Sequence, residues 1–190
     1  MKIAITGHTQ NLGKEIYTLF KKENEVIGFS RTNNYPLENY EKIIQDVNDC
    51  DVFINNTYHP IYQQKLFEEL FEEWKYKEKT IFNILTSAIL NNGSIDEYIE
   101  SKINLQKSSI NLINKHSNIK LRVVNLYPNT LEHNKRVISN KIKFSEIFDI
   151  IKFQLMNPPR LELTHIWIVR TNVSSNTTYG STISSNKTLL

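Results

Sequence analysis

The sequence predicts an α/β fold in which one doubly wound parallel sheet carries helices on both faces. Short apolar runs rich in β-branched residues alternate with longer stretches whose apolar residues recur every three or four positions, as strands alternating with helices do. The chain has 190 residues, a length typical of one domain. No internal repeat or linker divides it. Strands and helices that alternate within one domain favour βαβ units, which pair their strands in parallel.

Seven short runs are predicted to be buried strands because they are apolar and rich in β-branched or aromatic residues. Right-handed crossovers between such strands leave a doubly wound sheet, a sandwich of three layers, as the expected topology. The runs span residues 3–6, 26–29, 43–44, 51–54, 81–85, 121–126 and 166–169.

Four stretches have the period of a helix. The clearest is an apolar stripe with glutamates on the opposite face, formed by Leu66, Phe67, Leu70, Phe71 and Trp74. The other helices are predicted over residues 12–22, 94–116 and 147–155. Residues 32–41 are polar and contain a proline, which predicts a loop or a short helical turn.

The predicted domain spans residues 1–170, and residues 171–190 form a tail of different composition. Of the 20 residues in the tail, 13 are Ser, Thr or Asn. Such a segment has too little apolar surface to offset the entropy of ordering, so we expect it to be flexible.

Composition and charge exclude several classes of protein. The 23 basic and 20 acidic residues give a net charge of +3 that is spread along the chain, which predicts no nucleic-acid surface. No apolar run approaches the roughly 20 residues of a membrane span. The single cysteine, Cys50, fits a reducing compartment, and the five histidines lack metal-ligand spacing. We expect a cytoplasmic protein that binds no metal, nucleic acid or membrane.

A loop with two glycines follows the first predicted strand and leads directly into a helix. This geometry binds a pyrophosphate, because the helix N-terminus presents free N–H groups and glycine lets the backbone approach the ligand. The loop resembles the TGxxxGxG motif of the short-chain dehydrogenase/reductase family, whose fold is Rossmann-like, with Asn11 at the middle glycine. Asparagine tolerates a left-handed backbone better than most residues. The expected contacts to the cofactor are Gly7, Thr9, Gln10, Asn11, Leu12 and Gly13.

The end of the second strand indicates which dinucleotide is bound. Sites for NAD usually carry an acidic residue there, whereas an arginine accommodates the 2′-phosphate of NADP. Here Ser30 and Arg31 follow the strand, and no carboxylate does. A guanidinium offers forked, charge-assisted hydrogen bonds to phosphate. We therefore expect NADP as the preferred cofactor, with NAD possible.

Candidate catalytic residues follow the predicted strand at 81–85. Tyr98 and Lys102 lie four residues apart, on one face of a helix, and Ser87 stands eleven residues before Tyr98. An ammonium near a phenol lowers the pKa of the phenol, which can then exchange a proton while a hydride moves. The arrangement resembles the Ser–Tyr–Lys triad of the short-chain dehydrogenases. Because the spacing from Ser87 to Tyr98 is short for that family, Thr86 is the alternative to Ser87.

Three further segments resemble family motifs: an Asn-Asn pair after the strand at 51–54, a proline turn after the strand at 121–126, and an acidic residue followed by valine after the strand at 43–44. The resemblance implies that these segments contact the cofactor. The residues concerned are Asp46, Val47, Asn55, Asn56, Thr57, Pro128, Asn129 and Thr130.

The resemblance implies an oxidoreductase that interconverts a small carbonyl compound and an alcohol, with Lys102 contacting the nicotinamide ribose. It also implies a homodimer or homotetramer that pairs the helices at 61–77 and 94–116. Two features depart from the family: residues 57–82 contain no asparagine for a water relay, and the region 129–144, where the family forms a substrate lid, is short. They leave open a dinucleotide-binding regulatory or scaffold protein without turnover.

Overall fold

The computed structural model describes residues 1–90, 95–132, 141–156 and 165–169. Six strands and five helices alternate in this part of the chain. The strands are β1 (Lys2–Thr6), β2 (Glu25–Phe29), β3 (Val52–Asn55), β4 (Thr80–Ile84), β5 (Arg122–Pro128) and β6 (His165–Ile168). The helices are α1 (Asn11–Phe20), α2 (Tyr40–Asp46), α3 (Tyr62–Trp74), α4 (Glu97–Lys115) and α5 (Phe144–Met156).

The six strands form one parallel sheet in the order β2-β1-β3-β4-β5-β6. From β1 the chain first moves to β2 on one side and then crosses to β3 on the other. This reversal beside β1 makes a crevice at the carboxyl ends of β1 and β3, where open α/β sheets bind their ligands.

Helices cover both faces of the sheet, as the sequence predicts. Successive strand residues alternate between two hydrophobic clusters, because side chains along a strand point to opposite faces. Ala4 and Phe53 belong to the cluster under α2, α3 and α4, whereas Ile5 and Ile54 belong to the cluster under α1 and α5.

The predicted strand at 43–44 is wrong, because these residues lie in α2. Leu37, Ile43 and Val47 are all buried in one cluster, and the spacing from Ile43 to Val47 is that of one helical turn. An apolar pair as short as Ile43-Ile44 fits both periods, so it does not distinguish a strand from a helix. The described sheet therefore has six strands and not seven.

The remaining element boundaries differ only at their ends. Helix α4 begins at Glu97 because the Asp96 side chain accepts a hydrogen bond from the Ile99 backbone N–H at 2.8 Å, which caps its first turn. Residues 31–39 contain two short 3₁₀ turns, Arg31–Asn33 and Leu37–Asn39. The predicted tail at 171–190 lies outside the described residues. Within the described ranges, no helix has both the length and the apolar composition needed to span a bilayer.

Candidate functional site

A cleft of about 1030 Å³ opens at the carboxyl edge of the sheet. Its walls are the loops that follow β1, β2, β3, β4 and β5, together with the first two turns of α4. Most of the cofactor-binding and catalytic residues expected from the sequence line it: Gly7, Thr9, Gln10, Asn11, Leu12, Gly13, Ser30, Arg31, Asn56, Thr57, Tyr98, Lys102, Pro128, Asn129 and Thr130. The structure thus brings together segments that are far apart in the chain.

The loop between β1 and α1 is tightly packed and depends on residues with left-handed backbone and on glycine. Gly7 has φ of +72° and Asn11 has φ of +47°, so the expected left-handed conformation of Asn11 is confirmed. At Gly13 a Cβ atom would lie 2.1 Å from the Gly7 carbonyl oxygen, which excludes a side chain there. No acidic residue stands in the first turn of α1, so the partial positive charge of the helix N-terminus faces the cleft uncompensated.

The segment after β3 supports this loop from below. The Thr6 hydroxyl oxygen accepts hydrogen bonds from the backbone N–H groups of Asn56 at 2.9 Å and Thr57 at 3.0 Å. The Asn56 side-chain amide donates to the Thr6 carbonyl oxygen at 3.1 Å. Asn55 does not line the cleft; it is fully buried beneath it.

At the end of β2, a 3₁₀ turn fixes the residues expected to contact the adenosine ribose. The side-chain oxygen of Asn33 accepts hydrogen bonds from the Ser30 backbone N–H at 2.8 Å and from its hydroxyl at 3.0 Å. Arg31 is exposed and lines the cleft. The sequence analysis missed Glu38, whose carboxylate also lines the cleft and lies 3.4 Å from Nε2 of His59.

Asp46 and Val47, expected to contact adenine, do not line the cleft. Val47 is buried in the core, and the Asp46 carboxylate accepts a hydrogen bond at 2.5 Å from the hydroxyl of Tyr35. The reason is the replacement of the expected strand by α2, which places both residues at a helix end behind Tyr35. Tyr35 itself lines the cleft.

Tyr98 and Lys102 lie on successive turns of α4 and both face the cleft. The Lys102 side chain is almost fully buried, with 2% of its surface exposed. Its Nζ donates to Gln63 Oε1 at 2.8 Å and to the Ile84 carbonyl oxygen at 2.9 Å. Because burial disfavours the charged amine, the pKa of Lys102 falls to about 7.

The expectation that Lys102 lowers the pKa of Tyr98 is wrong for this structure. Burial raises the pKa of Tyr98, and the interaction with the Thr86 side chain opposes the rise only in part. Lys102 Nζ lies 5.5 Å from the centroid of the Tyr98 ring, and its hydrogen bonds go to Gln63 and Ile84. The Lys102 amine therefore lies near the Tyr98 ring, but its hydrogen bonds go to Gln63 and Ile84 and not to the Tyr98 hydroxyl.

Thr86, and not Ser87, presents its hydroxyl to the cleft. Thr86 lines the cleft, and its side chain lies close enough to Tyr98 to lower the pKa of the phenol. Ser87 begins a 3₁₀ turn, Ser87–Leu90, and is not part of the cleft wall. The Thr86 oxygen also accepts a hydrogen bond from the Ala88 backbone N–H at 3.3 Å, which helps to fix its position.

The sequence analysis missed two residues beside Lys102. The ring of Tyr58 meets that of Tyr98 edge to face, with centroids 5.0 Å apart, and Lys102 Nζ lies 5.9 Å from the Tyr58 centroid. Gln63 has only 2% of its surface exposed. It precedes Leu66 and Phe67 by three and four residues, so a polar side chain on the buried stripe of α3 was visible in the sequence.

No protein-family profile matches the sequence, and a search of curated proteins finds no significant similarity. Solved structures do match. A short-chain dehydrogenase from Burkholderia cenocepacia, solved with NADP, has a TM-score of 0.73 at 14% identity and covers 89% of this chain and 88% of its own. One from Leptospira borgpetersenii with bound NAD+ has a TM-score of 0.69 at 12% identity, covering 88% and 91%. A short-chain dehydrogenase/reductase from Vibrio parahaemolyticus has a TM-score of 0.65 at 15% identity, covering 87% and 98%.

The chain has the short-chain dehydrogenase fold.

The prediction of the fold is thereby confirmed, apart from the strand count. The usual doubly wound order of strands is 3-2-1-4-5-6. The order found here matches the 2-1-4-5-6 part of it: the outermost strand is absent, with α2 in its place in the chain, and one more strand, β6, is added beyond β5. Within the described ranges of this short-chain dehydrogenase fold, no group of three or more His, Cys, Asp or Glu side chains is placed to hold a metal ion.

Proposed function

We propose that this protein binds a nicotinamide dinucleotide in the cleft and transfers hydride between it and a small carbonyl compound or alcohol. The observation that carries the proposal is the shared cleft. Tyr98, Lys102 and the Thr86 hydroxyl form one wall, and the glycine loop at the N-terminus of α1 forms the other. Similar structures of the same fold were solved with NADP and with NAD+.

The residues of the cleft fit a dinucleotide. The absence of a side chain at Gly13 lets α1 begin directly against the loop, and the first N–H groups of a helix have no partner within it, so they can bind a pyrophosphate. A volume of about 1030 Å³ is at the upper end of the range of roughly 300–1,000 Å³ typical of ligand pockets. We assign the pyrophosphate to residues 7–13 and the nicotinamide end to the wall formed by Tyr98 and Lys102.

We propose NADP as the preferred dinucleotide. Arg31 lines the cleft at the end of β2, and no carboxylate follows that strand directly. The Ser30 hydroxyl is hydrogen-bonded to Asn33 and Thr32, so Arg31 is the group left to meet a 2′-phosphate. Glu38, the acidic residue of this region, lies against His59.

The dinucleotide, when bound, supplies or accepts the hydride. Because burial keeps the pKa of Tyr98 above its usual value, its phenol is protonated at neutral pH and is suited to donate a proton to the oxygen of a carbonyl substrate. Thr86, which lines the same cleft as Tyr98, is placed to hold the same substrate oxygen. Lys102 lies near Thr86 and Tyr98 in the cleft wall, and we assign it a contact with the ribose next to the nicotinamide.

The test is NADPH oxidation with a panel of carbonyl compounds, comparing the wild type with Tyr98→Phe. Loss of a proton donor is expected to lower turnover by about 10²- to 10⁴-fold. Tyr76→Phe is the matched control, because Tyr76 is exposed and lies outside the cleft. Turnover that is unchanged in Tyr98→Phe would remove the assigned role of Tyr98.

A dinucleotide-binding protein without turnover is the second candidate. The position of Ser87 outside the cleft favours it, since one member of the expected triad is then missing. Such a protein would change the fluorescence of NADPH on binding and oxidise none with any substrate of the panel.

We also propose a homodimer or homotetramer formed through the helices at 61–77 and 94–116. Helix α3 packs against α4 in the chain, and Ile110 of α4 is exposed. Light scattering on the purified protein tests this, and a monomer at micromolar concentration would exclude it.

A further inference from the structure

A network of hydrogen bonds between buried polar groups links Lys102 to the centre of the sheet. Asn55, Asn83 and Asn125 occupy the same register position on β3, β4 and β5 and are fully buried. Asn55 Nδ2 donates to Asn83 Oδ1 at 3.1 Å, and Asn83 Nδ2 donates to Asn125 Oδ1 at 3.0 Å. The three amides therefore run head to tail across the sheet.

Both ends of this hydrogen-bond network reach α4. At one end, Asn125 Nδ2 donates to Ser109 Oγ at 3.0 Å. At the other, Gln63 Nε2 donates to the Asn55 carbonyl oxygen, and Asn55 Nδ2 donates to the Gln63 carbonyl oxygen, both at 3.2 Å. Gln63 Oε1 then accepts from Lys102 Nζ at 2.8 Å.

The direction of these hydrogen bonds fixes the orientation of the Gln63 amide. Its Nε2 has an acceptor in the Asn55 carbonyl oxygen, so its Oε1 must point at Lys102. A flipped amide would place its Oε1 against the Asn55 carbonyl oxygen, two acceptors with no donor between them, which costs free energy in a buried site.

The two hydrogen-bond acceptors of Lys102, Gln63 Oε1 and the Ile84 carbonyl oxygen, are uncharged, so they can accept from the amine in either protonation state. An uncharged amine keeps two N–H donors and a protonated one has three, so Gln63 Oε1 and the Ile84 carbonyl oxygen can be satisfied in either state. A carboxylate in their place would favour the cation alone. The titratable groups that face Lys102 are the phenols of Tyr58 and Tyr98. Glu68, further along α3, is hydrogen-bonded by Gln64 and Ser108 instead.

We propose that Gln63 is the positioning residue for Lys102: its side-chain oxygen, held by the amides of the sheet, keeps the amine at the cleft wall in both protonation states. The proposal rests on the proposed function, because it assigns Gln63 a part in preparing Lys102 for the dinucleotide. Gln63 lies in the region 57–82, which contains no asparagine for a water relay, and it contacts Lys102 directly from α3.

The test is the titration of Lys102 by NMR in protein labelled with ¹³C-lysine, with the resonance assigned by its absence in Lys102→Met. Gln63→Glu places a carboxylate against the amine and is expected to move the midpoint upward by about one pH unit or more. Gln63→Met removes the acceptor with little change in size, and because a cation loses more than a neutral amine does, the midpoint moves downward. Gln64→Glu is the matched control: it adds the same charge to the same helix, beside Glu68, and leaves the midpoint of Lys102 unchanged.

The same variants are assayed for NADPH oxidation across pH. We expect the pH profile of turnover to move in the direction of the NMR midpoint, upward for Gln63→Glu and downward for Gln63→Met. A role in stability alone would lower the amount of folded protein and leave both the midpoint and the profile in place.

The outcomes separate this proposal from the proposed function. A midpoint that does not move in either Gln63 variant overturns the positioning role, even if turnover depends on Tyr98. A midpoint that moves as expected in a protein with no turnover supports the contact and contradicts hydride transfer. If Gln63→Glu does not fold, Gln63→Met decides alone, and an unchanged midpoint in it overturns the proposal.

Discussion

Replacing Lys102 with methionine is expected to change the dependence of stability on pH. The amine has a pKa of about 7 in the folded protein, against a reference of 10.5. Between these values the unfolded chain binds one more proton than the folded chain, so the wild type gains stability as the pH rises. Below pH 7 the full cost of burying the charge is present, and above about 10.5 it has disappeared. Lys102→Met lacks this dependence.

The magnitude follows from the two pKa values. At about 1.4 kcal/mol for each pH unit in the linear range, the wild type gains about 2.5 kcal/mol relative to Lys102→Met between pH 7.5 and 9.5. Methionine also leaves Gln63 Oε1 and the Ile84 carbonyl oxygen without their donor, but that cost is the same at every pH. Other titrating groups are common to both proteins and cancel in the difference.

The measurement is urea unfolding at 25 °C at several pH values, followed by the fluorescence of the buried Trp74. Lys107→Met serves as the control, since Lys107 is exposed on the same helix and its charge stays in water in both states. A difference between wild type and Lys102→Met that stays constant from pH 7.5 to 9.5 would show that Lys102 is still charged in the folded protein, which would contradict its lowered pKa.

Three further predictions concern the cleft and its loop. Arg31→Ala should weaken the binding of NADPH by about tenfold or more, the loss of one charge-assisted contact, and leave NADH almost unaffected; equal weakening in fluorescence titrations would contradict the contact with a 2′-phosphate. Thr86→Val should lower kcat/KM by about 10²-fold and Ser87→Ala by less than about twofold, and the reverse order would return the hydroxyl role to Ser87. Asn11→Ala should destabilise the protein by about 1 kcal/mol and Asn11→Gly should not, because the backbone there is left-handed; equal unfolding temperatures would contradict this reading of the loop.

The order of strands and helices could be predicted because most of the elements have an unambiguous period. β1, β3 and β4 consist mainly of apolar residues and are buried along nearly their whole length, as strands covered on both faces are, and the stripe on α3 extends over more than two turns, from Leu66 to Trp74. The period of Ile43 and Ile44 did not distinguish a strand from a helix. Two adjacent apolar residues fit either period, and only the burial of Leu37 and Val47 in the same cluster shows that a helix is present.

The site was less predictable, because it depends on how elements pack. Spacing along the chain indicates that a hydroxyl follows β4, but a shift of one residue decides whether Thr86 or Ser87 faces the cleft. The pKa of Tyr98 depends on burial, which Tyr58 of another loop helps to provide. Gln63 touches Lys102 only because α3 and α4 pack side by side.

The absence of the outermost strand has its main effect on the part of the cleft wall that follows β2. In the usual order, a further strand lies beside β2, and the residues that come after that strand in the sequence lie at the edge of the cleft. This protein has α2 in place of that strand. Asp46 is thereby turned to Tyr35, and Tyr35, Leu37 and Glu38 form the cleft wall from the turns before α2. An aromatic ring, an aliphatic side chain and a carboxylate thus stand where the sequence led us to expect Asp46 and Val47. The part of the cleft built from β4 and α4, on the far side of β1, contains Thr86, Tyr98 and Lys102 but not Ser87, and no element is missing there.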